Sequence, residues 1–175
     1  AAWEKTRALV GEATGRLPLV QAFMSGPLTG GCFISTDGVV HAVFTERYLR
    51  CKGGNFGTSV WRERIQWPHL EAQVRVMARE LRWTGLGQFD FIGSPESGEA
   101  CLIEMNPRLW GAINLALLNG FDFPAALVAQ TKGVDILTEY FTPTEKSWRS
   151  QWILGELILA VNEITTEGLL ALPRV

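Results

Sequence analysis

The stretch that decides the fold is residues 87–108, GQFDFIGSPESGEACLIEMNPR. Residues 87–92 and 100–106 are rich in the apolar and aromatic side chains of strands. Residues 94–98, SPESG, lie between them and have the composition of a turn. The pattern therefore predicts a β-hairpin.

Oxygen-bearing side chains share one face of this predicted hairpin. Because side chains alternate along a strand, that face carries two sets of residues: Gln88, Asp90 and Ile92, and Leu102, Glu104 and Asn106. If the hairpin folds about Ser97, Asp90 lies opposite Glu104, and the two carboxylates repel each other unless a cation separates them. Asp90, Glu104 and Asn106 are hard oxygen donors of the kind that bind Mg²⁺. A solvated polar face is the alternative.

Composition narrows the class of protein. The chain has 175 residues, 47% of them hydrophobic, which is enough for one domain with a substantial core. A net charge of −2 gives no signature of nucleic-acid binding, and no segment has the length or apolarity of a membrane span. The three cysteines and two histidines have no zinc-site spacing and do not suggest a disulfide scaffold. We therefore expect a cytoplasmic protein.

The rest of the chain predicts further helices and strands. Helical periodicity or capping predicts helices at 2–14, 69–83, 110–118, from 121–124 onward, and 152–162. Further strands are expected at 17–24, 32–35 and 39–45. Thr36, Asp37 and Gly38 form a strong turn signal between the last two. The expected fold class is α+β, a largely antiparallel sheet flanked by helices.

Residues 88–92 and 102–108, followed by Phe121-Asp122-Phe123-Pro124, resemble a known family. This order is similar to the C-terminal part of the ATP-grasp domain, the fold of biotin carboxylase, carbamoyl phosphate synthetase and D-alanine–D-alanine ligase. The resemblance covers residues 17–133. It implies an ATP-grasp part at residues 1–133 and a C-terminal helical extension at 134–175.

The resemblance also implies roles for the hairpin residues. Asp90, Glu104 and Asn106 match the family's Mg²⁺ ligands, with Gln88 a rival for the first position. Arg108 matches the arginine that stabilises the transferring phosphate or the acyl-phosphate, a role suited to a guanidinium. A surface ion pair with Glu104 is the other interpretation of Arg108.

The nucleotide side of the family's site is matched less completely. Residues 19–24 resemble the hinge strand whose backbone contacts adenine, which suggests as nucleotide contacts Gln21, Phe23 and Met24. Residues 25–29 contain no carboxylate where many members have an acid for the ribose.

Basic residues further along the chain suggest phosphate contacts. Arg47 and Arg50 resemble residues that the family directs at phosphates or at the acceptor carboxylate. Residues 52–55, KGGN, resemble a substrate-side loop, although the Walker spacing is absent. For each of these basic residues, plain solvent exposure is the alternative.

The function implied is that of an ATP- and Mg²⁺-dependent ligase, with Mn²⁺ as an alternative ion. Such an enzyme activates a small-molecule carboxylate as an acyl-phosphate, which an amine or thiol then displaces. The lysine-bearing strand and glycine-rich phosphate loop of the family are not found upstream of Leu17. We therefore expect a fragment of a longer protein that is inactive alone, whose missing partner is the N-terminal ATP-grasp subdomain. A degenerate module that binds nucleotide or a partner chain is the alternative, and formation of a homo-oligomer is left open.

Overall fold

The computed structural model describes residues 2–18, 20–52 and 57–170. Its strands form one six-stranded sheet in the order β5-β4-β1-β2-β3-β6, and every neighbouring pair is antiparallel. The strands are β1 Leu28–Thr36, β2 Val39–Cys51, β3 Ser59–Arg64, β4 Gly85–Gly93, β5 Ala100–Asn106 and β6 Arg149–Gln151. The helices are α1 Ala2–Thr14, α2 Pro68–Glu80, α3 Ile113–Leu118, α4 Phe123–Thr131 and α5 Ile153–Leu170, with a short 3-10 helix at Thr138–Tyr140. The expected α+β class is confirmed.

The central hairpin joins β1 to β2 through the predicted turn. Thr36 pairs with Val39, which leaves Asp37 and Gly38 as a two-residue turn. Both have positive φ, 46° and 83°, as in the turns whose twist matches that of paired strands. A side chain at position 38 would also collide with the backbone of Arg79 in α2. Both the positive φ and this close approach therefore favour glycine.

The β4–β5 hairpin has the predicted pairing of Asp90 with Glu104. A β-bulge follows at once, because Phe91 pairs with Leu102 and Ile103 is the extra residue. Ile103 therefore lines the same cavity as Glu104, whereas Leu102 lies with Phe91 on the opposite face. The expectation that Leu102 shares the face of Glu104 is wrong, because strict alternation does not continue through a bulge.

Helix α2 covers one face of the sheet. Leu70, Val74 and Ala78 are its fully buried residues and repeat at helical spacing. They pack on sheet residues that include Phe33 and Phe89, whose rings stack with centroids 5.1 Å apart. This face supplies one of the two cores.

Helices α3 and α4 cover part of the other face. Phe44 and Leu86 of the sheet pack there against Leu115 and Phe123. Helix α4 begins as predicted, because the Asp122 carboxylate accepts a hydrogen bond of 2.9 Å from the Ala125 amide and a proline lies in the first turn. The remainder of this face is polar and forms the site described below.

Two parts of the sequence-based secondary structure are wrong. Of residues 17–24, those described (17, 18 and 20–24) form no strand, and Phe23 is 87% exposed. An apolar run becomes a strand only where a neighbour supplies hydrogen bonds, and no described strand lies beside this one. Conversely, β3 and β6 were not predicted, because 59–64 and 149–151 are polar sequences without apolar alternation.

Candidate metal and nucleotide site

The uncovered part of the α3–α4 face holds a cavity of about 480 Å³. Antiparallel pairing brings β1 to β5 and the segment after β5 to it, since residues far apart in sequence become lateral neighbours. Its polar lining residues include Tyr48, Arg62, Gln88, Asp90, Glu104, Asn106 and Arg108. All four predicted metal and phosphate residues of the hairpin thus lie in one place.

Asn106 connects the two carboxylates. Its Nδ2 donates to Asp90 Oδ2 at 3.0 Å and to Glu104 Oε1 at 3.3 Å. Its Oδ1 accepts from Arg108 Nη2 at 3.2 Å. The amide N–H group therefore occupies the position between the carboxylates where a cation would neutralise both. A rotation of the amide by about half a turn would direct Oδ1 at such an ion.

Tyr48 holds the first carboxylate from the neighbouring strands. Its hydroxyl donates to Asp90 Oδ1 and accepts from Gln88 Nε2 at 2.8 Å. Burial and the nearby Glu46 charge raise the pKa of Tyr48 well above its ordinary value, so the phenol keeps its proton. Gln88 lines the same cavity, and its Nε2 also donates to Glu46 Oε1 at 3.3 Å.

A buried ion pair lies beneath Tyr48. Glu46 is fully buried, and its Oε1 accepts from Arg62 Nη1. The Arg62 guanidinium lies 3.9 Å from the centroid of the Tyr48 ring, a cation–π contact. Gly30 on β1 leaves room for this packing, since a Cβ there would lie 3.2 Å from both Glu46 Cγ and the Tyr48 hydroxyl.

The electrostatics of the site favour binding of a cation. Burial raises the pKa of the Asp90 carboxyl, and repulsion from Glu104 adds to the rise. The Tyr48 hydrogen bond and the Arg62 charge lower that pKa but do not offset the rise. Burial likewise raises the pKa of Glu46 despite Arg62. An added cation would stabilise the charged forms, so metal binding would be coupled to proton release.

The donor set fits a hard cation. Two carboxylates and an amide oxygen suit Mg²⁺, which commonly takes its remaining ligands from water and phosphates. Within 2–18, 20–52 and 57–170 there is no group of three His, Cys, Asp or Glu residues that could hold a metal ion by themselves. The set has two carboxylates, Asp90 and Glu104, and reaches three oxygen-bearing side chains only with Asn106.

The predicted nucleotide residues of the N-terminal segment lie outside this cavity. Gln21, Phe23 and Met24 are exposed and belong to no strand. The described residues 17, 18 and 20–24 do not form the hinge strand expected there, and the nucleotide contacts of Gln21, Phe23 and Met24 stay a prediction.

The two predicted basic residues form ion pairs elsewhere. Alternation along β2 directs Glu46 into the site and Arg47 to the other face, where Arg47 lies 3.6 Å from Glu63 and 3.4 Å from Glu96. Arg50 Nη1 lies 2.8 Å from Glu156 Oε2 of α5. Residues 53–55 of the predicted KGGN loop lie outside the described residues, and Lys52 contacts the Trp152 ring.

Sequence reasoning missed Glu46, Tyr48 and Arg62. Glu46 and Tyr48 lie on β2, and Arg62 lies on β3. Glu46 and Tyr48 are two positions apart and therefore share a face of the strand, which is the signal that the sequence offers. The extent of β2 to Cys51, beyond the predicted end at position 45, is what brings Tyr48 into the sheet.

Comparison with known proteins identifies the fold. No family model matches the chain, and no curated protein matches its sequence. Among solved structures, it is similar to a biotin carboxylase–βγ-ATP complex from Campylobacter jejuni, with a TM-score of 0.61 and 14% identity over 85% of this chain and 35% of that one. It is also similar to a complete multifunctional pyruvate carboxylase from Rhizobium etli, with a TM-score of 0.56 and 17% identity over 79% and 13%.

A third similar structure is the biotin carboxylase domain of a thermophilic 2-oxoglutarate carboxylase bound to bicarbonate. Its TM-score is 0.55 and its identity 16%, over 82% of this chain and 32% of that one. The chain thus spans 13% to 35% of the length of these three proteins. At these identities the likeness shows the fold alone, which is that of part of these biotin carboxylase structures.

Proposed function

We propose that this chain supplies the metal-binding half of the active site of an ATP- and Mg²⁺-dependent ligase. The observation that carries the proposal is the convergence of Asp90, Glu104, Asn106 and Arg108 on one cavity of a biotin carboxylase-like fold. The free cysteines are compatible with a cytoplasmic setting. No described helix is long and apolar enough to cross a membrane.

The proposed reaction activates a carboxylate. A carboxylate oxygen of the substrate attacks the γ-phosphorus of ATP, ADP leaves, and an amine or thiol then displaces phosphate from the acyl-phosphate. Asp90, Glu104 and Asn106 would hold Mg²⁺, which neutralises phosphate charge when bound. Arg108 is exposed at the cavity, so its guanidinium can donate to the oxygens of the transferring group.

A non-catalytic nucleotide-binding module is the second candidate. It is favoured by the ion pairs of Arg47 and Arg50, because these two residues, expected at phosphates or at the acceptor carboxylate, contact Glu63, Glu96 and Glu156 instead. In this case Mg²⁺–ATP would bind to a longer protein that includes this chain, but no ADP would form.

The test is Mg²⁺-dependent ADP formation by such a longer protein, supplied with candidate carboxylates and amines. We expect Asp90→Asn and Glu104→Gln each to lower turnover at least 100-fold, about 2.7 kcal/mol of transition-state stabilisation. Arg82→Gln, an exposed residue paired with Asp37 at the far turn, is the control and should turn over like the wild type. Turnover by the two site variants at the wild-type rate would contradict the assignment.

Arg108 has a separate signature. Arg108→Lys should lower kcat roughly 10- to 1,000-fold, because a point charge replaces a planar pair of donors. Mn²⁺ affinity, measured by EPR as the loss of the free-ion signal, should change less than threefold. A kcat equal to that of the wild type would remove Arg108 from the mechanism. The 175-residue chain alone should form no ADP, and measurable turnover by it would refute the half-site description.

A further inference from the structure

A second cavity, of about 500 Å³, adjoins the metal cavity. It lies between β3, β6 and the start of α3. Apart from Arg62, its lining is apolar or uncharged, with amide and hydroxyl groups at Asn114, Ser150 and Gln151 and an aromatic wall at Trp152. Arg62 is its single charged residue within the part of the chain that the structure describes.

The two cavities meet at a glycine. Thr58, Arg62 and Gly111 line both of them. A Cβ at Gly111 would meet nothing within 4 Å, and its φ lies outside the left-handed region that favours glycine. The fold therefore does not require glycine here, and the missing side chain leaves the junction open.

Charge limits what the second cavity can hold. The Arg62 guanidinium already pairs with the buried Glu46 carboxylate, so the pair has little surplus charge. A charged group deep in the cavity would lose hydration without gaining an ionic partner. At the junction, by contrast, an anion lies next to the metal cavity, which holds Arg108 and would hold the cation.

We propose that this second cavity binds the body of the substrate whose carboxylate is activated, and that this substrate is a monocarboxylate with a small, uncharged, partly apolar body. The carboxylate lies at Gly111 and faces the metal cavity, while the body lies between Trp152 and Asn114. The proposal rests on the proposed function and adds the substrate class. It also gives a role in the site to β6 and to Trp152, the residue between β6 and α5.

The test uses phenylacetate as the probe and its neutral amide, phenylacetamide, as the comparison. Binding to the 175-residue chain is measured by saturation-transfer NMR in a buffer that contains Mg²⁺ and no Mn²⁺. We expect phenylacetate to bind at least tenfold more tightly than phenylacetamide. Gly111→Leu should weaken phenylacetate binding at least tenfold by filling the junction. Gly11→Leu on the exposed helix α1 is the matched control, since a Cβ there also meets nothing within 4 Å, and it should bind like the wild type.

A second variant places a charge in the cavity itself. Asn114 donates to Ser150 Oγ at 3.0 Å and does not line the metal cavity, so Asn114→Asp should weaken phenylacetate binding at least tenfold. Its Mn²⁺ affinity, measured by EPR, should stay within threefold of the wild type.

The outcomes separate the two claims. Equal binding of phenylacetate by the wild type, Gly111→Leu and Asn114→Asp, or no binding at all, overturns the substrate assignment, and retained Mn²⁺ binding then leaves the proposed function standing. If the wild type binds no Mn²⁺ but phenylacetate binding follows the expected pattern, the metal site is overturned and the ligand class of the second cavity is supported.

Discussion

The face of the sheet under α2 and the polar part of the opposite face are built from different chemistry. Under α2, aromatic and aliphatic side chains such as Phe33, Phe89 and Leu70 are buried at 0% to 1% exposure. On the opposite face, the same strands place Glu46 and Asp90 in a polar network that extends to an open cavity. Phe89 and Asp90 are consecutive residues of β4, and the alternation of side chains along the strand places them on opposite faces.

The difference shows how one sheet serves two purposes. Apolar burial on the α2 face contributes stability in proportion to the area removed from water. The polar face carries buried charges whose pKa values are raised by burial, so it contributes less stability than apolar packing would. We expect variants of the α2 face to change the free energy of unfolding, and variants of the polar face to change ligand binding.

The largest expected effect is on the α2 face. Leu70→Ala should lower the free energy of unfolding by about 2–5 kcal/mol, because a fully buried side chain is truncated. Val76→Ala, on the same helix but 48% exposed, is the control and should cost less than about 1 kcal/mol. Urea denaturation followed by circular dichroism measures both. Mn²⁺ affinity of folded Leu70→Ala should stay within threefold of the wild type, and a larger change would break the separation of the faces.

The next effect is on the polar face. Glu104→Gln should weaken Mn²⁺ binding at least 100-fold in EPR titrations, because one of two carboxylate ligands is neutralised. Its free energy of unfolding should change by less than about 1 kcal/mol, since Glu104 is exposed. Glu99→Gln, an exposed acid before β5, should bind Mn²⁺ like the wild type. Equal affinity of Glu104→Gln and Glu99→Gln would contradict the site.

A smaller effect is expected from Tyr48→Phe. It removes the hydrogen bond to Asp90 and should weaken Mn²⁺ binding about 2- to 12-fold, corresponding to roughly 0.5–1.5 kcal/mol. Loss of this bond also raises the pKa of Asp90 further, so the pH at which half of the metal is released should move upward. A midpoint that stays the same would show that Tyr48 only packs. Tyr140→Phe, on the 3-10 helix, is the control.

The smallest effect concerns pH. Burial raises the pKa values of Asp90 and Glu46 above those in the unfolded chain, which are about 4. At pH values above about 4, the folded chain therefore binds more protons than the unfolded chain. Their contribution to stability is therefore present at acid pH and is lost as the pH rises through the raised folded values. Asp90→Asn should flatten this decrease in metal-free chain, measured by denaturation at a series of pH values. An unchanged pH profile would show that burial does not perturb Asp90.

Sequence reasoning predicted the part of the site that is local. The turn composition at 94–98 was enough to pair Asp90 with Glu104, and the capping residue Asp122 located the start of α4. The bulge at Ile103 could not be predicted, because an extra residue in a strand leaves no mark in apolar periodicity.

The remainder of the site depends on contacts between distant segments. Tyr48 and Asp90 are 42 positions apart, and β3 reaches the site with a polar sequence that carries Arg62. The N-terminal apolar run shows the converse: strand-like composition produced no strand because it has no partner among the described strands.

The most direct test of the metal site is Mn²⁺-induced broadening of backbone amide signals in the NMR spectrum of the 175-residue chain. The account predicts that at substoichiometric Mn²⁺ the signals of residues 88–90, 104–106 and 108 disappear first. Signals of the Asp37 turn and of α2 should remain sharp, because they lie away from the cavity. Broadening centred elsewhere, or the same broadening in Asp90→Asn and Glu104→Gln as in the wild type, would contradict it.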